Sequence, residues 1–295
     1  MIINMRIKES RGDRIFNIIN MIFLAFLTFL FLAPVLHVLF SSLSEPEQLI
    51  KTDGIVLFPR GFTLKPYEMA LQNKNILSGY FNSFLYSAGT CVLGLLLSIL
   101  GGYCCYKKTF MPRKLLMKLM TFTMFFSGGM IPSYLLIQQL QIYDTMWAII
   151  LPSSLSVWNI IMIRTAFSEL PAGLEESARI DGANDFVILF RIFVPLCKAI
   201  LAVLSLFYVV GMWNSWFGAM IYLQDRNKFP LQLILREILI LNDSSSFLLT
   251  DIKTELYKPL VKNATIMISV IPMFCFYPFV QKYFVKGVML GSMKE

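Results

Sequence analysis

A long apolar run near the start of the chain, residues 15 to 40, reads IFNIINMIFLAFLTFLFLAPVLHVLF. It contains no Asp, Glu, Lys or Arg, and it exceeds the roughly 20 residues that an α-helix needs to cross about 30 Å of hydrocarbon. The basic residues before it are followed by no small-residue cleavage site, so we expect a retained first span rather than a removed signal. The run therefore predicts a helix that lies in a membrane.

Five further apolar runs follow, and the composition of the chain agrees with them. Of its 295 residues, 57% are hydrophobic and 15% are charged, and the mean hydropathy is +0.66. These values predict an all-α polytopic membrane protein with one transmembrane domain over residues 15–285. The six expected spans are residues 15–40, 81–106, 115–137, 145–167, 199–223 and 264–285.

The distribution of charge predicts the orientation of the spans. One set of loops holds sixteen of the 26 Lys and Arg residues but eight of the 18 acids, so the whole net charge of +8 lies on one side. By the positive-inside rule that side is cytoplasmic, and the basic character reflects topology rather than nucleic-acid binding. The predicted cytoplasmic segments are residues 1–14, 168–198 and 286–295, and the long external segments are 41–80 and 224–263.

The sequence offers neither a catalytic site nor a metal site. No Asp, Glu, Lys or Arg lies well inside a span, which argues against a proton-coupled carrier or an ion pump working alone. We expect His37, the single histidine, to be packed or interfacial, and the five cysteines lack metal-ligand spacing. No Gly-x-x-x-x-Gly-Lys-Ser/Thr loop occurs, so ATP and Mg, if they are used, must be bound by another chain.

Polar and aromatic residues in the fifth span are candidates for a substrate path. Trp213, Asn214, Ser215 and Trp216 place two rings and two hydrogen-bonding side chains within about one helical turn. Sugars present apolar faces edged by hydroxyls, so this combination suits a sugar. The alternative is an aromatic belt at the outer interface, with Asn214 and Ser215 serving helix packing.

A second candidate is the interruption of the third span at residues 126–132, which read FSGGMIP. Gly128 and Gly129 would loosen the helix there, and such breaks are tolerated where the backbone lines a cavity or is buried in protein. Cavity lining and simple close packing are both compatible with the pattern. Asn159 and Ser154 in the fourth span are weaker candidates of the same kind.

The segment 168–198 predicts two short helices joined at a glycine. The first runs from Pro171 to Asp181 with acids in its early turns, and Gly182 supplies a left-handed stop. The second runs from Phe186 until Pro195 ends it, and small residues in the first would allow another surface to approach closely. A generic amphipathic loop is the alternative. The residues of interest are Glu175, Glu176, Ser177, Ala178, Asp181, Gly182 and Pro195.

These residues carry a resemblance to a known family. The run Glu176-Ser177-Ala178-x3-Gly182-x9-Ile192-Phe193-Val194-Pro195 resembles the EAA motif of bacterial ABC importer permeases, Glu-Ala-Ala-x3-Gly-x9-Ile-x-Leu-Pro. The runs at 126–134, 179–183 and 213–216 are similar to its carbohydrate-uptake branch, with MalG-like subunits and LplC/YtcP-type oligosaccharide permeases. The resemblance extends from about residue 15 to residue 294.

The resemblance implies a MalFG-like (type I importer) fold in a bacterial plasma membrane, with both termini cytoplasmic. Two permease chains, usually different, would enclose one path for an oligosaccharide or glycoside, which an extracellular lipid-anchored binding protein delivers. A pair of cytoplasmic ATPases would bind ATP and Mg and drive alternating access. The first helix of segment 168–198 would couple to them, the segment 224–263 would reach into the binding protein, and the tail 286–295 would lie near the ATPase.

The chain is therefore predicted to be a non-enzymatic transport subunit. Two other classes stay open from the sequence. A permease of the same architecture could carry a peptide, an amino acid or an ion instead of a sugar. A stand-alone channel or secondary carrier would transport without any ATPase.

Overall fold

The computed structural model describes residues 10–51, 54–240 and 256–292. Parts of the predicted N-terminal, external and C-terminal segments, residues 1–9, 52–53, 241–255 and 293–295, lie outside the described residues. The described residues are helical apart from loops and one isolated antiparallel bridge between Ser44 and Phe62.

Fifteen α-helices, one π-helix and one 3-10 helix make up the described chain. They are α1 Arg11–Ser42, α2 Pro46–Leu49, α3 Lys65–Gln72, α4 Lys74–Tyr106, α5 Arg113–Phe125, α6 Met130–Gln139, α7 Trp147–Ser154, α8 Val157–Ser168, α9 Ala172–Ile180, α10 Asp185–Val187, the π-helix Ile188–Phe193, α11 Val194–Leu196, α12 Lys198–Trp213, α13 Phe217–Tyr222, the 3-10 helix Arg226–Lys228, α14 Leu231–Ile240 and α15 Lys258–Ser292.

Three of the described helices, α1, α4 and α15, are each long and apolar enough to cross a membrane. Three bent pairs reach the same criterion together, with bends of 118° between α5 and α6, 44° between α7 and α8, and 83° at the start of α12. Up to six spans result if each bent pair is one span. The sharpest bend falls at Phe126–Gly129, where the glycine-rich interruption breaks the helix.

The chain forms two compact units, and the first comprises Met1–Gln72 with Ser244–Ile268. Its helix α1 starts at a capping box between Ser10 and Asp13 and exposes apolar side chains along its length. An apolar surface of this extent suits lipid rather than water. His37 has a structural role here, because its Nδ1 accepts a hydrogen bond of 3.0 Å from the amide of Val56.

The second unit, Asn73–Asp243 with Ser269–Glu295, is built around α4. Helices α7, α8, α12 and α14 all pack on α4. Close approach requires small residues: a Cβ at Gly102 would lie 2.7 Å from Ile163 Cγ2, and one at Gly94 would lie 2.6 Å from the ring of Tyr208. A side chain at either glycine would push α4 away from its neighbours.

Two apolar clusters lie along the second unit. One surrounds Phe167 and Phe193, which are almost fully buried, and the other surrounds Tyr86 and Ile150. Between them Tyr208 shares a hydrogen bond of 2.8 Å with Ser98, on α4. Because buried hydroxyls cost free energy unless they are paired, this bond allows polar side chains inside the bundle.

Candidate functional site

The segment that carries the EAA-like motif folds into an elbow, residues 171–197, made of two arms. The first arm is α9, which begins after Pro171 and ends at Ile180, with Asp181 as its C-cap. Gly182 follows with φ of 81°, the left-handed conformation that glycine adopts without steric cost. The amide of Ala183 donates to the carbonyl of Ala178 over 2.9 Å, which closes the end of the helix. The predicted stop at Gly182 is therefore present.

The second arm runs further than the sequence indicated. Asn184 caps it by accepting from the amide of Val187 over 2.9 Å, and it continues through the π-helix and α11 to Leu196. The expectation that Pro195 ends this helix was wrong. Pro195 lies inside the arm, two residues after the π-helix ends at Phe193, and the chain bends only at Cys197.

The seven residues predicted for coupling divide between the two faces of the elbow. Two of them face inward: Glu175 is half-buried, and Ala178 packs against the cluster around Phe167. The other five are exposed to solvent, namely Glu176, Ser177, Asp181, Gly182 and Pro195. The outward face thus presents acids and small residues that no other part of the described chain covers.

Two apolar residues on the elbow were missed by the sequence reasoning. Ile180 is 87% exposed and Phe186 is 68% exposed, on either side of the turn at Gly182. Large apolar side chains next to charged ones at a surface are typical of a binding surface for another protein. Their position directly around the motif glycine was the signal that could have identified them.

The inward face of the elbow is held by a charged cluster that we call the clamp. The ammonium of Lys107, at the end of α4, donates to Glu175 Oε1 over 2.9 Å and to a carboxylate oxygen of Asp185. Arg179 bridges the same two carboxylates, at 3.1 Å and 2.7 Å. Hydroxyls of α4 complete the cluster. The clamp consists of Tyr103, Tyr106, Lys107, Glu175, Arg179 and Asp185.

The contacts fix the charge states of the clamp. The hydrogen bond from Lys107 holds the pKa of Asp185 below its usual value. Burial alone would raise the pKa of Glu175, but hydrogen bonds from Lys107, Tyr106 and Arg179 lower it overall. Burial would likewise lower the pKa of Lys107, and its oxygen partners raise it overall. All three groups are therefore charged at neutral pH.

Polar side chains of α4, α8 and the α12–α13 connection line a cavity of about 340 Å³ in the second unit. Of the predicted substrate-path residues, Asn159 and Ser215 lie in its wall. The hydroxyl of Thr90 also lies there, buried and without a hydrogen-bond partner among the described residues. Further lining residues are Ser153, Ser156 and Trp158, the last of them 55% exposed.

The structure separates the two predicted tryptophans. Helix α12 ends at Trp213, whose side chain is buried and whose Nε1 donates to the carbonyl of Ser269 over 3.2 Å. Trp216 lies beyond the helix end, with the guanidinium of Arg236 4.6 Å from its ring centroid. The two rings therefore do not form the one-turn platform that the sequence suggested, and Trp213 and Asn214 line a different cavity of about 340 Å³.

The glycine pair of the third span lies elsewhere again. Gly129 has φ of 88° and forms the break before α6, with its amide donating to Ser127 Oγ over 3.2 Å. Neither Gly128 nor Gly129 lines the cavity at Asn159. The structure thus brings Asn159 and Ser215 together and leaves the other candidates apart from them.

Comparison with known proteins agrees with the helical fold. No family model matches the chain. The chain is 36% identical over 288 residues to Protein LplC of Bacillus subtilis (strain 168), a match that covers 97% of each chain. It is 35% identical over 288 residues to the polygalacturonan/rhamnogalacturonan transport system permease protein YtcP of the same organism, covering 96% of this chain and 99% of that protein.

A solved structure gives the same result. The crystal structure of a bacterial ABC transporter involved in the import of the acidic polysaccharide alginate contains a chain that matches with a TM-score of 0.85 and 31% sequence identity. The match covers 94% of this chain and 99% of that chain. Because the identity exceeds 30% over nearly the full length, the likeness extends beyond general helical architecture.

Fold, elbow and likeness together define a class, the multi-pass permease subunits of ABC importers in the inner membrane. The chain belongs to the carbohydrate-uptake family of ABC transporter permeases.

Proposed function

We propose that the chain is one of two permease subunits of a binding-protein-dependent importer, and that it moves an oligosaccharide or glycoside by ATP-driven alternating access. The companion permease, two ATPases that bind ATP and Mg, and an extracellular solute-binding lipoprotein complete the assembly. Six spans with both termini in the cytoplasm place the elbow on the ATPase side. The external segment 224–263 then meets the binding protein.

The observation that carries this proposal is the outward face of the elbow. Glu176 and Asp181 offer charge to a basic rim, Ser177 permits close approach, and Ile180 and Phe186 offer apolar area. Closure of the ATPases on ATP would move this surface, and the bundle would alternate between two states as a rigid body.

A charge reversal on that face tests the coupling role. Glu176→Lys should abolish uptake while leaving the permease in the membrane, since the new cation would oppose a basic partner surface. The matched control is Glu68→Lys, which reverses an exposed acid on α3 in the predicted external segment. Uptake and co-purification of the ATPase are measured in proteoliposomes. Normal uptake by Glu176→Lys would remove the coupling role from this surface.

The sugar assignment rests on the cavity that contains Asn159. Trp158 offers a ring face beside the Asn159 amide and the hydroxyls of Ser153, Ser156 and Ser215, a combination that suits a sugar. The relative YtcP is named for polygalacturonan and rhamnogalacturonan, and the alginate importer for an acidic polysaccharide. These names support a polysaccharide fragment as the substrate.

A pair of tryptophans makes a matched test of the cavity. Trp158→Ala should reduce uptake of a labelled galacturonan oligosaccharide by roughly 2-fold to 10-fold, the loss of one stacking contact of about 0.5–1.5 kcal/mol. Trp147→Ala removes a comparably exposed ring outside the cavity and should leave uptake near wild type. Equal uptake by both variants would return Trp158 to a lipid-facing role.

The competing substrate class is a peptide or amino acid carried by the same architecture. The binding protein decides between them, since the ATPase of the assembled complex should be stimulated only by binding protein loaded with the transported solute. Stimulation by oligosaccharide supports the proposal, and stimulation by a peptide instead would replace the substrate while keeping the importer.

A further inference from the structure

We propose that Lys107 is a positioning residue that pins both arms of the elbow to α4, so that α4 and the elbow move as one body when the ATPases act. This inference rests on the proposed function of the elbow. Lys107 lies outside the EAA-like motif. In this proposal it transfers movement of the motif to α4, the helix that lines the cavity.

The ammonium of Lys107 lies between the two arms and α4. The side chain of Lys107 is 9% exposed, and its ammonium contacts oxygens from three elements. Glu175 belongs to α9, the first arm, and Asp185 begins α10, the second arm. Tyr103 belongs to α4 itself, and its hydroxyl also donates to Asp185 Oδ1 over 3.1 Å. One buried ammonium therefore holds both arms to one helix.

The first arm has few other contacts that could hold it to the rest of the bundle. No side chain of α9 is fully buried, and its apolar contribution to the core is chiefly the small Ala178. Arg179 joins Glu175 to Asp185, but both of these carboxylates belong to the arms, and its own side chain is 45% exposed. Among the described residues, the hydrogen bonds and ion pairs that join α9 to α4 run through Glu175, from Lys107 and Tyr106.

Helix α4 connects Lys107 to the cavity. Helix α4 is continuous from Lys74 to Tyr106 and packs on α8 and α12, the other walls of the cavity. Thr90 lies in that wall about 25 Å along the helix from Lys107, at 1.5 Å per residue. Because Lys107 holds the elbow to α4, a displacement of the elbow also displaces α4, and α4 carries the movement to the cavity.

The test measures a distance between the elbow and α4. Spin labels at positions 173 and 92, an exposed site on α9 and an exposed site on α4, are introduced into the full complex with the five native cysteines replaced. The distance is recorded in nanodiscs without nucleotide and with ATP and vanadate. In the wild type we expect the same distance in both states.

Lys107→Met should give a distance that shifts by several ångströms between the two states, while the complex still hydrolyses ATP. The matched control is Lys108→Met, which removes an adjacent exposed cation and should keep the wild-type behaviour. In Lys107→Arg the distance should again be nearly the same in both nucleotide states, because Arg keeps the positive charge. A purely structural role would broaden the distance equally in both states and would not make it depend on nucleotide.

Two results would overturn the inference. One is a distance in Lys107→Met that stays as constant as in the wild type, and the other is a wild-type distance that itself changes with nucleotide. If Lys107→Met does not assemble, Glu175→Gln removes the charge with little change of shape and is scored by the same criterion. Failure of the elbow's coupling role is read separately, from normal uptake by Glu176→Lys.

Discussion

Helix α4 is tied to a loop at each end, and the two ties use different chemistry. At its C-terminal end the clamp joins side chain to side chain, with a cation that is 9% exposed. Near its N-terminal end the tie, which we call the latch, joins side chains to backbone. Asn82 and Tyr86 donate to carbonyls of residues 227–229, and the amide of Leu231 donates to Ser83.

The latch also has an ion pair, and its partners are more accessible to solvent than the ammonium of the clamp. Asp144 Oδ1 accepts from the amides of Gln224 and Asp225 at 2.9 Å and 3.1 Å, and its other oxygen lies 2.8 Å from the ammonium of Lys228. Asp144 has φ of 55°, a conformation that Asp tolerates better than most residues. The latch therefore fixes the backbone shape of a loop, whereas the stability of the clamp depends on the charges of its side chains.

The largest effect is expected from removing the buried charge of the clamp. Lys107→Met removes the buried cation and leaves Glu175 and Asp185 with only the half-exposed Arg179 between them. The expected cost is about 2–4 kcal/mol, less than for a fully buried pair because the side chain of Asp185 is 52% exposed. Thermal unfolding of the purified permease in detergent should move to a clearly lower temperature. Lys108→Met provides the control, and equal unfolding temperatures for the two variants would contradict the difference drawn between clamp and latch.

At the latch, the shape of the side chain should matter more than its charge. Asp144→Ala removes the acceptor of two backbone amides and should cost about 1–2 kcal/mol. Asp144→Asn keeps an oxygen acceptor and should cost less, since an ion pair that solvent can reach contributes little. The same detergent unfolding measurement compares the two variants. If Asp144→Asn destabilises as strongly as Asp144→Ala, charge dominates the latch as well.

The smallest effect is expected from pH. The pKa values of Glu175 and Asp185 are lowered, so their stabilising contribution is complete above their ordinary values and is lost as pH falls through the lowered ones. The pKa of Lys107 is raised, so its contribution is lost only as pH rises through that raised value. The unfolding temperature of the wild type should therefore change little from about pH 6 to about pH 9 through the groups of the clamp. A titration inside this window, in wild type but not in Lys107→Met, would contradict the assigned charges.

Local structure in the elbow could be predicted from the sequence, because its causes are local. Proline before the first turn, acids in that turn and glycine after the last one act within a few residues, and α9 and Gly182 are found as those signals indicate. The break at Gly129 has the same origin. The all-helical membrane class follows from composition alone.

The clamp and the cavity could not be predicted, because their members are distant in sequence. Lys107 and Glu175 are 68 residues apart, and a basic residue at the end of a span is fully accounted for by topology. The separation of Trp213 from Trp216 depends on where α12 ends, and its C-cap Asn214 has no Pro or Gly directly beside it that would indicate the end. Tertiary packing determines both the clamp and the positions of the two tryptophans, so the spacing of these residues in the sequence did not predict them.

The role of the elbow is tested most directly by what touches it in the assembled transporter. A photocrosslinking residue at position 177, on the exposed face of α9, is compared with one at position 68, on the exposed face of α3. We expect position 177 to cross-link to the ATPase subunit and position 68 not to do so. No ATPase cross-link from position 177 in a complex that transports would contradict the coupling role.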